Sequence, residues 1–300
     1  MSSVVYYSVL VLSSVLNRLP QKFIESIANF IGTLFFLVAK RRRNDLLVNL
    51  EIAFPKMSCE EKQKIAKQCS KNFAYVALEF IKNLKSPKEE LERRVVFKNR
   101  EIIDEAFKQD RPVVFMTAHF GNWEIGSLIC ALFSKSLVAI GRESGNEALD
   151  RLIKQSRERF NVTLISKYGA MKHIIKEIKT GGSVGILVDQ NTAEDEGELV
   201  EFFGHEARHT PVLSILAKRF NALIIPAFVY KDGSGYVVDV YEPLEANSSL
   251  GYEEDIQRLT QAQADVTQRA IKKSPSEYFW FHRRWKNQYE HLYKQSAKCS

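Results

Sequence analysis

Pro112-Val113-Val114-Phe115-Met116-Thr117-Ala118-His119-Phe120-Gly121-Asn122-Trp123-Glu124 is the stretch on which the fold turns. Residues 112–117 form a short apolar run of strand length, rich in residues that suit a pleated, buried surface. Gly121 permits a tight turn, and Ile125-Gly126-Ser127-Leu128-Ile129-Cys130 then begins a helix. A buried strand passing through a turn into a helix is half of a parallel βαβ unit. The alternation continues, with strands expected at 137–140, 162–165 and 183–188, and helices near 125–134, 146–160 and 169–179. Thr210-Pro211 offers a helix N-cap followed by proline at the first helical position. Strands at 223–230 and 235–242 follow, joined through Asp232-Gly233-Ser234-Gly235, and a long helix near 253–273 leads to an aromatic and basic tail. The expected fold class is α/β, a mixed, largely parallel sheet flanked by helices.

Upstream the pattern changes. Residues 1–17 carry no charged side chain, and a second apolar stretch, 23–39, contains Glu25 and Asn29 and ends in Lys40-Arg41-Arg42-Arg43. A spanning helix needs about 20 apolar residues. The first stretch reads as one short span and the second as an amphipathic helix on the membrane surface; a pair of core helices is the competing reading. No basic segment precedes the first stretch, so a cleaved leader is not expected. Basic residues all follow it, which keeps the remainder on the cytoplasmic side. The expected division is an N-terminal membrane anchor over 1–40 and one domain over 41–300. Within the latter, Ser58-Cys59-Glu60-Glu61 is a capping-box pattern that starts a helix running to about residue 85.

With 300 residues, 45% hydrophobic and 26% charged, the composition excludes a disordered chain, a collagen-like repeat and a multi-span transporter. The formal charge of +7 suits an acidic partner, whether nucleic acid, anionic lipid or an acidic carrier protein. No nucleic-acid motif is present, and nucleic acid is not expected as a partner. Cys59, Cys69, Cys130 and Cys299 include no C-x-x-C pair, which reads as a reduced compartment without structural zinc. No histidine spacing marks a metal centre, and no cofactor is expected.

Sites in open α/β sheets form beyond the carboxyl ends of strands, which draws attention to His119 and Glu124. Five residues apart, they would lie roughly 140° apart on a continuous helix. They meet if His119 ends the strand, Gly121 turns the chain and Glu124 opens the helix. The histidine would then take a proton while the carboxylate holds its other ring nitrogen. The plainer alternative is a hydrogen-bonded loop histidine.

His119-x4-Glu124, with Gly121-Asn122-Trp123 between, resembles the late acyltransferases of lipid A biosynthesis, the lauroyl and myristoyl transferases of Gram-negative bacteria. Further stretches resemble that family in order: Arg41-Arg42-Arg43, Asn49-Leu50-Glu51-Ile52-Ala53-Phe54-Pro55, Arg142 with Asn146, Asp189-Gln190, Phe202-Phe203-Gly204 with Thr210-Pro211, and Trp280-Phe281-His282-Arg283-Arg284-Trp285-Lys286. Gly141 and Glu143 depart from the family's usual Tyr and Pro around Arg142. The likeness covers roughly residues 40–286.

The resemblance implies transfer of a fatty acyl chain from acyl carrier protein to a hydroxyl of a phosphorylated glycolipid, at the cytoplasmic side of a bacterial inner membrane. His119 would be the general base and Glu124 its partner, with Arg157 stabilising the oxyanion and Arg159 as rival for that role. Arg142, Asn146, Asp189, Arg283 and Arg284 are the expected substrate-binding residues; a helix cap, a strand-end turn and an ordinary basic rim are the plainer readings of these positions. Glycerophosphate acyltransferases share the His-x4-acid core but carry a Glu-Gly-Thr-Arg block where this chain reads Asp189-Gln190-Asn191-Thr192. Mannoside acyltransferases and a non-catalytic membrane-associated binding protein remain as alternatives.

Overall fold

A computed structural model describes residues 2–141, 145–166 and 169–299. In chain order the helices and strands are α1 (Ser2–Arg18), α2 (Gln21–Val38), α3 (Lys40–Ala53), α4 (Cys59–Asn83), α5 (Lys88–Arg93), β1 (Val95–Lys98), α6 (Arg100–Ala106) and β2 (Val113–Thr117). They continue with α7 (Trp123–Cys130), β3 (Leu137–Gly141), α8 (Glu147–Glu158), β4 (Val162–Ser166), α9 (Ala170–Lys179), β5 (Ser183–Leu187), β6 (Glu198–Phe202) and β7 (His205–His209). The last are α10 (Val212–Phe220), β8 (Leu223–Asp232), β9 (Gly235–Val240), α11 (Tyr252–Lys273) and α12 (Lys286–Tyr289).

Seven strands form one sheet in the order β1-β9-β8-β2-β5-β3-β4. Every neighbouring pair is parallel except β8 with β9, which are antiparallel. This is the mixed, largely parallel sheet expected from the alternation. β2 lies at its centre and is fully buried through Met116, because both faces of a helix-covered sheet are dry. One apolar cluster lies on each face: Val114, Met116, Ile186 and Ile224 pack with the C-terminal aromatic residues, while Phe115, Leu137, Ile225 and Val238 pack on the other side.

Ser58 caps α4 as the sequence indicates: its hydroxyl accepts from the Glu61 N–H, and the Glu61 carboxylate accepts from the Ser58 N–H. α10 begins later than expected, at Val212, and Thr210 supplies no side-chain cap. β1, α3 and the antiparallel β6–β7 hairpin were not expected. The cysteines differ too. Cys59 at the start of α4 is bonded to Cys299, tying the C-terminal tail to that helix, whereas the spacing indicated reduced thiols.

α1 and α2 pack along α4, and α1 also meets α8, where the Tyr6 hydroxyl donates to Gln155 Oε1. Glu25, the carboxylate within the second apolar stretch, pairs with Lys231 of β8 at 3.0 Å. Outward, α1 exposes Val4, Tyr7, Val11 and Val15, and α2 exposes Phe23, Phe30, Leu34, Leu37 and Val38. Among the described residues one helix, Gln21–Val38, is long and apolar enough to cross a membrane, by length and composition; Val4–Arg18 is shorter. The length criterion is thus met by the second stretch rather than the first.

Candidate active site

His119 stands two residues past β2, on a loop fastened from both flanks. Its carbonyl accepts from the Phe279 N–H, the Gly121 N–H donates to the Glu277 carbonyl, and the Asn122 N–H donates to the Val229 carbonyl, each at 2.8 Å. Gly121 has φ +54°, and a Cβ there would stand 1.8 Å from the Val229 carbonyl oxygen. Only glycine fits so close a backbone approach in the left-handed region. Asn122 caps α7 by accepting from the Ile125 N–H, and its amide donates to the Tyr236 hydroxyl.

The partner of the histidine ring is Asp189, not Glu124. Asp189 is buried beyond the end of β5, the strand beside β2. Its Oδ1 accepts from the His119 backbone N–H at 3.0 Å and lies 2.9 Å from Nδ1. With Nδ1 protonated towards Asp189, Nε2 is left as the basic nitrogen, 3.2 Å from the Gln190 amide. Burial alone would lower the imidazole's pKa; the Asp189 carboxylate and its hydrogen bond overcome that and raise it, with a further push from Glu124. Burial works to raise Asp189, and the facing His119 prevails and holds it well below the usual carboxylate range. Trp123 and Phe279 flank the ring at 5.4 and 6.0 Å between centroids.

Glu124, in the first turn of α7, is engaged elsewhere: its Oε2 accepts from Arg157 Nη2 at 2.8 Å. No hydrogen bond joins it to His119, although both line the same cavity. Arg157, in the last turn of α8, and Arg159 separate cleanly. Arg159 donates to the carbonyls of Asn83 and Ser86 at the end of α4 and serves structure. Arg157 faces a cavity of about 220 Å³ together with His119, Trp123 and Glu124. Beyond this polar mouth the walls are apolar, among them Ile129, Leu137, Leu164, Leu187 and Val229. The buried Arg157 Nε has no hydrogen-bond partner among the described residues.

The remaining expected binding residues scatter. Asn146 caps α8, accepting from the N–H groups of Ala148 and Leu149. Arg142 lies outside the described residues. Arg283 is paired with Asp45 of α3 at 2.9 Å. Arg284 is 1% exposed and donates to the Arg208 carbonyl and to His209 Nδ1, so it braces the interior rather than forming the exposed phosphate clamp expected from the sequence. Burial, and then the Arg284 charge, push the His209 pKa well down, which leaves the ring neutral to accept that bond. The sequence indicated Asp189 as a substrate-binding residue, through its place at the end of a strand, where such sheets build sites, and through the family likeness of Asp189-Gln190; its contact with the His119 ring was not indicated.

A model of the family described as bacterial lipid A biosynthesis acyltransferase matches residues 2–287. The chain is 23% identical to a lipid A biosynthesis acyltransferase 2 of Shigella flexneri, over 88% of this chain and 84% of that one. It is 24% identical to the lipid A biosynthesis myristoyltransferase of Escherichia coli strain K12, over 87% of this chain and 80% of that one. Its identity with the lauroyltransferase of the same strain is 26%, over 91% and 88%.

Proposed function

The chain belongs to the bacterial lipid A biosynthesis acyltransferase family, and from that premise we propose that it moves a fatty acyl chain from an acyl carrier protein thioester to a hydroxyl of a lipid A precursor. His119 Nε2 takes the proton of the acceptor hydroxyl as its oxygen attacks the thioester carbonyl. The tetrahedral intermediate collapses, the C–S bond breaks, and the imidazolium returns the proton to the leaving thiolate. Asp189 fixes the tautomer and stabilises the imidazolium, as the carboxylate does in a Ser-His-Asp triad. Arg157 faces the developing oxyanion, where a preorganised charged donor counts most. Glu124 acts as a positioning residue, because its ion pair orients the Arg157 guanidinium. The H-x4-E spacing therefore delivers a base and an arginine holder to one cavity mouth.

The observation that carries this reading is the apolar cavity that opens on His119, Glu124 and Arg157 together. Such a space suits a hydrocarbon chain whose thioester stays at the polar mouth. The exposed apolar faces of α1 and α2, followed by Lys40-Arg41-Arg42-Arg43, suit attachment to the cytoplasmic face of an anionic inner membrane. Mass spectrometry of lipid A from cells with and without the gene tests the reading. A transferase adds the mass of one acyl chain, whereas a binding protein leaves the acyl number unchanged.

A further inference from the structure

A second cavity, of about 300 Å³, lies on the other side of the catalytic loop, between α2, α4 and the segment after α11. Its floor includes Gly121 and Asn122, two and three residues after His119. Unlike the first, its walls are polar: Asn29, Gln68, Lys71, Asn72, Lys231 and Glu277 all reach it. We propose that this cavity holds a phosphorylated saccharide, the head group of the acceptor, and so fixes the acceptor hydroxyl against His119. The inference rests on the acyl-transfer reading and adds to it the part of the molecule that recognises the acceptor.

The lining specifies the ligand's chemistry. The Gln68 amide donates to Asn72 Oδ1 at 2.8 Å, and the Asn72 amide donates to Glu277 Oε1 at 3.1 Å. This relay lays alternating donors and acceptors along one wall, which is the pattern that sugar hydroxyls satisfy. Burial pushes the Glu277 carboxyl up to about 7, against the opposing pull of Lys231, so it can accept from a hydroxyl or donate to one. Lys231 is neutralised by Glu25 at 3.0 Å. Lys71 makes no ion pair with any described residue and is half-exposed, leaving a free ammonium for phosphate. Tyr75 and Tyr236 are the aromatic rings among the lining residues, and the polar relay between Gln68 and Glu277 favours a sugar over a stacked base.

The placement also links this cavity to the reaction. Glu277 receives the Gly121 N–H on its carbonyl, and Phe279, two residues on, donates to the His119 carbonyl. The wall that would grip the head group is therefore hydrogen-bonded to the loop that carries the base. α2 forms the outer wall through Ala28 and Asn29, with its exposed apolar residues on the far side. A glycolipid whose chains lie in a bilayer along α2 would present its head group at this opening.

The test uses the full chain and vesicles carrying a lipid A precursor with or without its phosphates. Lys71→Met should raise the KM for the phosphorylated acceptor about tenfold, the scale of a lost charge-assisted hydrogen bond, and leave the KM for the dephosphorylated one at the wild-type value. Asn29→Leu should raise both, and Lys67→Met, on the exposed side of α4, should raise neither. Glucose 6-phosphate should compete with the acceptor better than glucose or inorganic phosphate, which separates a sugar-phosphate site from a simple anion site. An unchanged KM for the phosphorylated acceptor in Lys71→Met would overturn the proposal. If the wild-type chain transfers no acyl group, the acyl-transfer reading fails separately. The cavity is then judged by ³¹P line broadening of glucose 6-phosphate, expected with the wild-type chain and lost in Lys71→Met; broadening equal in both contradicts the proposal.

Discussion

Replacing Asp189 by asparagine isolates what its charge does for His119. Two donors from His119, its backbone N–H and Nδ1, converge on Asp189 Oδ1 at 3.0 and 2.9 Å. A backbone N–H can only donate, so in Asp189→Asn the amide oxygen of the new side chain must occupy the same place. Nδ1 then keeps its proton, so the tautomer survives while the negative charge is lost. An opposite charge in contact shifts a pKa by about 1–3 units, and each unit corresponds to about 1.4 kcal/mol. In the wild-type protein the base is neutral only above a pKa that Asp189 has raised from the ordinary imidazole value of about 6.5. The acid limb of the kcat profile should therefore lie above that value, and in Asp189→Asn it should move down. At the optimum the weaker base should cost roughly 10–100-fold, a part of the full general-base contribution. Stability runs the opposite way with pH from activity: the pair's contribution through His119 is complete at pH below its unfolded pKa and fades as pH rises through the raised folded value. Measuring kcat between about pH 5 and 9 with saturating thioester reads the shift directly. An acid limb that stays in place in Asp189→Asn would refute the assignment of Asp189 as the partner of the base.

Other expectations follow from particular contacts. Glu124→Gln should lower kcat by about 10-fold or more, since a neutral amide holds the Arg157 fork less firmly, and its acid limb should move less than that of Asp189→Asn; a larger shift would restore Glu124 as the ring's partner. Gly121→Ala should abolish transfer and lower the melting temperature, because the new Cβ meets the Val229 carbonyl at 1.8 Å; a variant with wild-type melting and turnover would contradict the loop geometry. Ala139→Leu fills the apolar cavity, which Ala139 lines, and should shift donor preference to chains shorter by a few carbons, read by competition among acyl carrier protein thioesters; an unaltered preference would place the chain elsewhere. Serine at Phe30, Leu34 and Leu37 of α2 should reduce binding to anionic vesicles in flotation assays, since all three are exposed apolar side chains; undiminished flotation would remove α2 from the membrane contact.

Much of the fold was legible because its signals are local. The Ser58–Glu61 capping box spans four residues, and the strand-turn-helix around His119 is continuous in sequence. The edge elements were not. β1 is four residues long, and β6 and β7 carry Glu198, Glu201, Glu206 and Arg208 among their five residues each. At the site, sequence proximity misled: Glu124 is five residues from His119 but turns towards Arg157, whereas Asp189 is seventy residues away and touches the ring. Only the sheet order, which sets β5 beside β2, brings Asp189 there. The Cys59–Cys299 bond spans 240 residues and has no local signature. Arg283 and Arg284 show the same limit, since adjacent arginines in a basic run pair with α3 in one case and the interior in the other.

Whether His119 activates the acceptor for direct attack on the thioester is decided by the stoichiometry of a single turnover. The purified chain is mixed with a slight excess of acyl carrier protein thioester, and intact masses of protein and lipid are recorded before and after adding the lipid A precursor. Direct attack predicts no acyl group on the protein at any time, one acyl chain on the lipid per thiol released, and neither product with His119→Ala. An acylated protein that forms before the acceptor is added, or acyl-lipid formed at the wild-type rate by His119→Ala, would contradict it.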